Sequence, residues 1–331
     1  MRAGPGAAMR TLLLGLPVGL LFGFVLQRGR FCMYTAFRDL LAAPDATLFR
    51  AYVLALLVQA LLIHMGAALG LLAVSPFGLF WLAAIVGGFL FGMGITLAGG
   101  CSSGTWYRVG EGMVGSWVAA LGYGLGVAAT FWGVLRPAAD FLASFEGPAG
   151  WRSLPGLLGV PKWLFLAAAL GGGGWWLLRS PRPRAFTGWL WPRTGLAIGL
   201  VAALAWAASE ATGRMWGLSI TGPTGAWVRY LTAGDASRWG WDAWVLLGIP
   251  LGAFLSARAG GEFKWRAPAP ERMVKQLAGG ILMGFGAATA GGCNIGHGLT
   301  GLGALSTASL LAILFILLGT WAGTWLFFLR R

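Results

Sequence analysis

The 331-residue chain is poor in charge and in cysteine. Charged residues make up 10% of it and hydrophobic residues 57%, and its mean hydropathy is +0.74. A chain this apolar cannot hide its hydrophobic surface in a soluble core, which excludes a soluble globular protein. Because there are three cysteines, at most one internal disulfide can form and one thiol is left over.

Long hydrophobic runs occupy most of the sequence. Nine stretches with few or no charges are each long enough to cross a hydrocarbon core of roughly 30 Å. The first could pass for a signal peptide, but Gln27, Arg28 and Arg30 stand where a small-residue cleavage site should be, so we predict a retained helix. We therefore predict an all-α, polytopic membrane protein with a single integral membrane domain over residues 1–331. The nine stretches lie at about residues 11–27, 48–73, 78–98, 112–136, 161–178, 194–210, 242–258, 273–291 and 305–329.

The net charge of +14 helps to orient the chain. In a soluble protein this charge would suggest binding to nucleic acid, yet here Lys and Arg lie mainly between the spans. Most are in the loops after the first, third, fifth and seventh spans and at the C-terminus, including Arg182, Arg184, Arg266 and Arg272. We call this the Arg-rich side. The positive-inside rule places it in the cytoplasm, which predicts a cytoplasmic C-terminus, a periplasmic N-terminus, membrane lipids as surroundings and no nucleic-acid partner.

Two distant segments share one glycine pattern. GGFLFGMGITLAGGC at 87–101 lies over GGILMGFGAATAGGC at 279–293, so all the glycines and the final cysteine coincide. A fainter echo sets GLPVG at 15–19 against GLAIG at 195–199, and it places Cys32 opposite Trp216. These coincidences indicate an internal repeat.

We interpret the chain as two half-repeats, at residues 11–136 and 194–329, joined by a linking helix at 161–178. The odd number of spans turns the second half over, which gives the inverted repeat found in many transporters. The spacing of Gly88 and Gly92, repeated by Gly280 and Gly284, is the small-xxx-small pattern that lets helices approach closely in lipid.

A short segment follows each landmark of the repeat and is too short to span. MYTAFRDLLAAP follows Cys32, SSGTWYRVGEG follows Cys101, GLSITGPTGAWVRYL follows Trp216 and NIGHGLTGLG follows Cys293. Backbone that leaves a helix at membrane depth is tolerated only where it is buried in protein or lines a cavity. We therefore predict re-entrant helices that enter from both faces and meet near the middle, with helix N-termini that favour an anion.

The thiols at these corners suit a soft anion. Cysteine is a weak S–H donor and a polarizable acceptor, which fits a sulfur-bearing anion better than a hard oxyanion. Ser102, Ser103 and Asn294 add hydrogen-bonding groups nearby. Arg108 attracts anions to the inner corner, unless it pairs with Glu111.

Plainer interpretations of the same residues stay open. A cysteine in an apolar helix is usually a small hydrophobe, although the repeated setting of Cys101 and Cys293 argues for more, and that of Cys32 less so. Two of the three could form a disulfide. With His297 they could supply four zinc ligands, but no paired CxxC spacing supports zinc, and we predict no metal or other cofactor. His297, one helical turn after Cys293, is either a pore-lining donor or a packed histidine.

Two carboxylates stand near membrane depth. Asp39 and Glu210 would be costly there without partners, which makes them functional candidates. Arg38 and Arg214 are close enough in sequence to be their structural partners.

The motifs GRFCMYTAFRD, GGCSSGTWYRVGEG and GGCNIGHGLTG resemble those of the YeeE/YedE family of bacterial inner-membrane proteins, whose characterised branch takes up thiosulfate. The resemblance covers essentially the full length and implies an hourglass of two related halves. It implies a narrow central path along which the three thiols hand on thiosulfate. It also implies a TusA-like sulfurtransferase as a cytoplasmic partner, which we expect to be a separate protein. The predicted substrate path comprises Cys32, Cys101, Cys293, His297, Ser102, Ser103, Asn294, Gly100, Gly292, Gly296 and Arg108.

The resulting hypothesis is an inner-membrane transporter for thiosulfate uptake, not an enzyme. Cys293 meets the ion on the periplasmic side, and Cys101 and Cys32 receive it toward the cytoplasm. The thiols stay protonated, since a thiolate would repel a dianion. Two alternatives are a membrane sulfurtransferase that carries a persulfide on Cys101 or Cys293, with His297 as its base, and a transporter of another sulfur- or selenium-containing ion.

Overall fold

The computed structural model describes residues 5–180 and 188–330, and helices connected by loops are the regular secondary structure of these ranges. Arg182 and Arg184, which contributed to the predicted orientation, lie outside the described residues. The helices, in chain order, are α1 (Pro5–Arg28), α2 (Met33–Ala42), α3 (Thr47–Ala68), α4 (Trp81–Ala98), α5 (Ser102–Gly110), α6 (Val114–Phe131), α7 (Arg136–Ala143), α8 (Leu154–Leu158), α9 (Lys162–Leu178), α10 (Trp191–Glu210), α11 (Thr221–Ala233), α12 (Trp241–Ala259), α13 (Pro270–Ala290) and α14 (Thr307–Thr324).

Seven stretches of helix in the described ranges are long and apolar enough to cross a membrane. Each of the nine predicted spans coincides with a helix, and the two outside the seven are α9 and α13. Helix α9 has 17 residues, and α13 carries charged side chains in its first turns. The prediction of an all-α, polytopic membrane protein is confirmed. The number of spans and the single domain over residues 1–331 stay predictions.

The two glycine-rich helices of the repeat, α4 and α13, pack against each other in antiparallel fashion. Gly87 of α4 faces Gly286 of α13, and Gly94 faces Gly279. A Cβ added at Gly286 would clash with the amide nitrogen of Phe91 and would lie 2.6 Å from the carbonyl oxygen of Gly87. In the alignment Gly87 corresponds to Gly279, and Gly94 corresponds to Gly286. The contact of Gly87 with Gly286 is therefore equivalent to the contact of Gly279 with Gly94.

The other long helices also pack in matched pairs. Gly88 and Gly92 bring α4 against α14, and Gly280 and Gly284 bring α13 against α6, which confirms the packing role predicted for both glycine pairs. Likewise α1 packs on α12 and α10 packs on α3. We propose, on these pairings, that the two half-repeats exchange helices about an approximate two-fold axis between α4 and α13.

Replacing Gly286 by alanine is expected to reduce the free energy of unfolding by about 3 kcal/mol, because the added methyl group meets backbone atoms that cannot rotate away. Gly172→Ala on α9 is the matched control, since a Cβ there meets no atom of the described part of the chain within 4 Å. The loss of folded protein on heating, followed by size-exclusion chromatography in detergent, measures both. A Gly286→Ala protein as stable as the control would contradict the close packing of α4 on α13.

Candidate functional site

Two of the three thiols are in contact. Cys32 precedes α2 and Cys101 precedes α5, and both stand at the N-cap position of their helix. Both side chains are fully buried, and their Sγ atoms lie 3.5 Å apart. The amide of Gly104 donates to Cys101 Sγ at 3.4 Å, so a sulfur takes the place of the oxygen that commonly caps a helix. Each short helix therefore begins at a thiol.

Both Gly-Gly-Cys corners have the same backbone turn. Gly99 ends α4 with φ of 73° and Gly291 ends α13 with φ of 84°, a left-handed conformation that glycine adopts without strain. The chain then turns back at buried Cys101 and buried Cys293. After Cys293 comes a π-helical turn at Gly296–Gly301. The segments expected to be short helices after the landmarks are therefore α2, α5, α11 and this turn.

The two corners meet through a side-chain hydrogen bond. Ser102 Oγ donates to Asn294 Oδ1 at 2.8 Å, and both residues are fully buried. Asn294 Nδ2 is buried and has no hydrogen-bond partner among the residues that the structure describes. An unpaired buried amide is costly, so a ligand that accepts from Nδ2 would be stabilised there. Ser103 Oγ lies 3.4 Å from Cys101 Sγ, which adds a polar group beside the thiol pair.

His297 is held at both ring nitrogens. Nε2 lies 2.9 Å from the carbonyl oxygen of Ala290, which can only accept, so Nε2 carries the hydrogen. In the neutral ring Nδ1 then accepts from the hydroxyl of Ser309, 3.0 Å away. These contacts favour the packed-histidine interpretation over that of a free donor lining the pore. A Cβ at Gly292 would touch the ring, whereas one at Gly296 would meet open space.

Phe77 lies against this histidine and packs on Trp216. The ring centroid of Phe77 is 5.6 Å from that of His297 and 3.7 Å from that of Trp216. The predicted repeat sets Trp216 opposite Cys32; Trp216 packs on Phe77, whereas Cys32 contacts a second thiol. Phe77 was not among the predicted residues, because no motif distinguishes it from the other phenylalanines in the chain.

Arg108 faces a basic cavity. Its guanidinium donates to the carbonyl oxygen of Gly99 at 2.8 Å, and Glu111 accepts a hydrogen bond from Gln27, so Arg108 acts on Glu111 through its charge and not through a hydrogen bond. The cavity has a volume of ≈ 240 Å³. Its lining includes Ala98, Gly99, Gly100, Thr105, Arg108, Arg266, Arg272 and Gln276. We call it the arginine cavity. Sequence alone did not predict that α5 and the segment before α13 would converge there.

Of the two arginine partners predicted for the carboxylates near membrane depth, one is confirmed and one is wrong. Arg38 pairs with Asp39 at 2.7 Å, as predicted. Arg214 does not pair with Glu210; it contacts Asp242 at 3.3 Å, because the loop before α11 turns the guanidinium toward the start of α12. Asp39 therefore has a structural partner.

The cysteines are free thiols. A disulfide requires sulfurs about 2.05 Å apart, so the contact between Cys32 and Cys101 is one of unbonded groups. Among the residues that the structure describes, no three His, Cys, Asp or Glu side chains are grouped to hold a metal ion. The buried donors around the thiols are hydroxyl, thiol and amide groups, and Arg108 is the nearby cation of the predicted path. Such a set can hold and release an anion.

Comparison with known proteins agrees with this chemistry. The sequence model of a family described as "Sulphur transport" matches residues 28–322. Thiosulfate transporter TsuA of Escherichia coli (strain K12) is 38% identical over 340 residues, covering 96% of this chain and 95% of that protein. The protein of the same name from Spirochaeta thermophila is 39% identical over 334 residues, covering 96% and 99%. Probable transporter YedE of Salmonella typhimurium is 38% identical over 137 residues, 40% of this chain and 33% of that protein. The predicted resemblance is confirmed, and the chain belongs to the sulphur transport family of YeeE/YedE-like membrane proteins.

Proposed function

We propose that this protein is an uptake transporter for thiosulfate in the bacterial inner membrane. The contact between Cys32 and Cys101 carries the proposal, because it places two buried thiols side by side at the ends of two short helices. Full-length relatives named thiosulfate transporters support the choice of ion. The Arg-rich side faces the cytoplasm in this proposal, with the N-terminus in the periplasm and the C-terminus in the cytoplasm.

The thiols provide a series of weak sites. The terminal sulfur of thiosulfate is a soft acceptor for S–H groups, and the free Nδ2 of Asn294 suits one of its oxygens. In the proposed path the ion meets Cys293 first, then Cys101 and Cys32, and leaves through the arginine cavity. Several weak sites in sequence suit conduction, because each must hold the ion long enough to select it and loosely enough to release it.

The state of His297 favours transport over sulfur transfer. A persulfide mechanism needs a base to take the thiol proton, and both ring nitrogens of His297 already have partners. We therefore propose that thiosulfate crosses intact. A separate TusA-like sulfurtransferase would collect it on the Arg-rich side.

Uptake of labelled thiosulfate tests the proposed function. The protein is expressed in cells that lack other thiosulfate uptake systems, and thiosulfate is supplied as the sole sulfur source. The two sulfur atoms of thiosulfate are labelled in separate experiments. Equal rates of entry for the two labels are expected of a transporter. Separation of the labels would indicate the sulfurtransferase, and entry no faster than in cells with an empty vector would contradict the proposal.

Gly104→Ala is expected to reduce thiosulfate uptake by about tenfold or more, equivalent to at least ~1.4 kcal/mol in the transport barrier. A Cβ at this position would lie 2.5 Å from Cys32 Sγ and 3.3 Å from Cys101 Sγ, so the thiol pair would have to separate. Initial uptake rates, corrected for the amount of folded protein, measure the effect. The control is again Gly172→Ala on α9. Equal rates for the two variants would show that the thiol contact is not on the path.

A further inference from the structure

A second polar cluster lies behind the arginine cavity and outside the proposed thiol path. Gln27, at the end of α1, uses its amide nitrogen twice: it donates to Glu111 at 3.2 Å and to Glu262 at 2.6 Å. Its amide oxygen accepts from the hydroxyl of Ser256 on α12. Two carboxylates from distant loops therefore share one glutamine side chain.

The two carboxylates have unlike surroundings. Glu111 is 7% exposed, and its burial raises the pKa of this carboxyl above the ordinary value. The side chain of Glu262 is 31% exposed and pairs with Arg30 at 3.2 Å. The hydrogen bond from Gln27, together with Arg30, holds the pKa of Glu262 below its ordinary value. Glu262 is therefore ionised at neutral pH, whereas Glu111 is the member of the pair suited to binding a proton.

The charged groups that face Glu111 come from each element packed around it. Arg30 follows α1, Arg108 belongs to α5, and Arg266 lies in the segment between α12 and α13. The hydrogen bond from Gln27 and these three cations favour the ionised carboxylate, while burial opposes it. Since Arg108 and Arg266 also line the arginine cavity, two of the three cations face both the carboxyl and the cavity.

The backbone ties Glu111 to the wall of that cavity. The amide of Arg266 donates to the carbonyl oxygen of Gly112 at 3.0 Å, and the amide of Val114 donates to the carbonyl oxygen of Arg266 at 2.9 Å. Met113, between these positions, lines the cavity. A divalent anion in the cavity would offset the field of the arginines and repel the nearby carboxylate, and both effects favour protonation of Glu111.

We propose that Glu111 is a proton-binding site coupled to the arginine cavity: it takes up a proton when a divalent anion occupies the cavity and releases it when the anion leaves. The identity of the anion as thiosulfate rests on the proposed function. Because such coupling is reciprocal, protonation of Glu111 strengthens anion binding, and a more alkaline cytoplasm favours release. Each step adds or removes one proton at the carboxyl and involves no redox change.

Calorimetry of the purified full-length protein tests the coupling. Thiosulfate is titrated at a fixed pH into wild type, Glu111→Gln and Glu146→Gln, in two buffers that differ in ionisation enthalpy, which yields the number of protons exchanged per ion bound. Wild type is expected to take up a fraction of a proton and Glu111→Gln none. Glu146 is an exposed carboxylate paired with Arg152 at 2.8 Å, so Glu146→Gln should match wild type.

The pH dependence of binding provides a test on the wild type alone. The dissociation constant for thiosulfate is expected to fall as the pH is lowered from neutral toward the ordinary pKa of a glutamate, by at most ~10-fold per pH unit for one proton. Proton uptake by Glu111→Gln equal to that of wild type, or wild-type binding that does not vary with pH, would overturn the inference while leaving thiosulfate transport intact. Absence of thiosulfate binding to wild type would overturn the proposed function and the inference with it.

Discussion

Replacing Cys101 by alanine is expected to lower the initial rate of thiosulfate uptake by about tenfold to a hundredfold. Cys101 Sγ contacts Cys32 Sγ and Ser103 Oγ and accepts from the amide of Gly104. A hydrogen bond to a charged group contributes about 1.5–3 kcal/mol, and each ~1.4 kcal/mol corresponds to a factor of ten in rate or affinity. Alanine removes this donor and the helix cap together.

Two further variants separate these roles. Cys101→Ser retains a donor and a capping atom but replaces a soft sulfur with a harder oxygen, so its uptake rate should fall between those of wild type and Cys101→Ala. Thr130→Ala removes a buried hydroxyl on α6, outside the thiol path, where it donates to the carbonyl oxygen of Gly126. It should transport at the wild-type rate. If Cys101→Ala also transported thiosulfate at the wild-type rate, the ion would not use this thiol.

Oxidation of Cys32 and Cys101 to a disulfide is expected to stop uptake almost completely. Their Sγ atoms are 3.5 Å apart, so a modest approach would form a bond of about 2.05 Å. Diamide accepts the two hydrogen atoms that the thiols lose. The product lacks both S–H donors and links the N-cap residues of α2 and α5, so the path loses two adjacent sites. Dithiothreitol should restore the original rate.

Peptide mapping under non-reducing conditions identifies the bond in the same samples. Cys32→Ser cannot form it, so whatever uptake that variant retains should not respond to diamide. Unchanged uptake in a preparation whose Cys32–Cys101 disulfide is fully formed would place these thiols away from the route of the ion.

The repeated corners were predictable because their conformation depends on local sequence. A glycine that ends a helix with positive φ and a cysteine that caps the next helix lie two residues apart in the chain, as at Gly99 and Cys101. The spacing of Gly88 and Gly92, and that of Gly280 and Gly284, likewise predicted that each helix packs closely on a neighbour. These features need no knowledge of distant contacts.

The contacts that sequence analysis missed all join distant segments. Neither the 3.5 Å approach of Cys32 to Cys101 nor the convergence of Arg266 on Arg108 has a local signal. The choice of Asp242 as the partner of Arg214 depends on how the loop before α11 meets α12. Phe77 acquires its importance only by lying over His297.

The position of a bound soft ion tests the thiol path most directly. Crystals of the full-length protein soaked with selenosulfate would report the selenium atom by its anomalous scattering. Selenium in hydrogen-bonding contact with the sulfur of Cys293 or of the Cys32–Cys101 pair is the predicted result. Selenium found solely in the arginine cavity, or at any site without a thiol beside it, would contradict a path made of thiols.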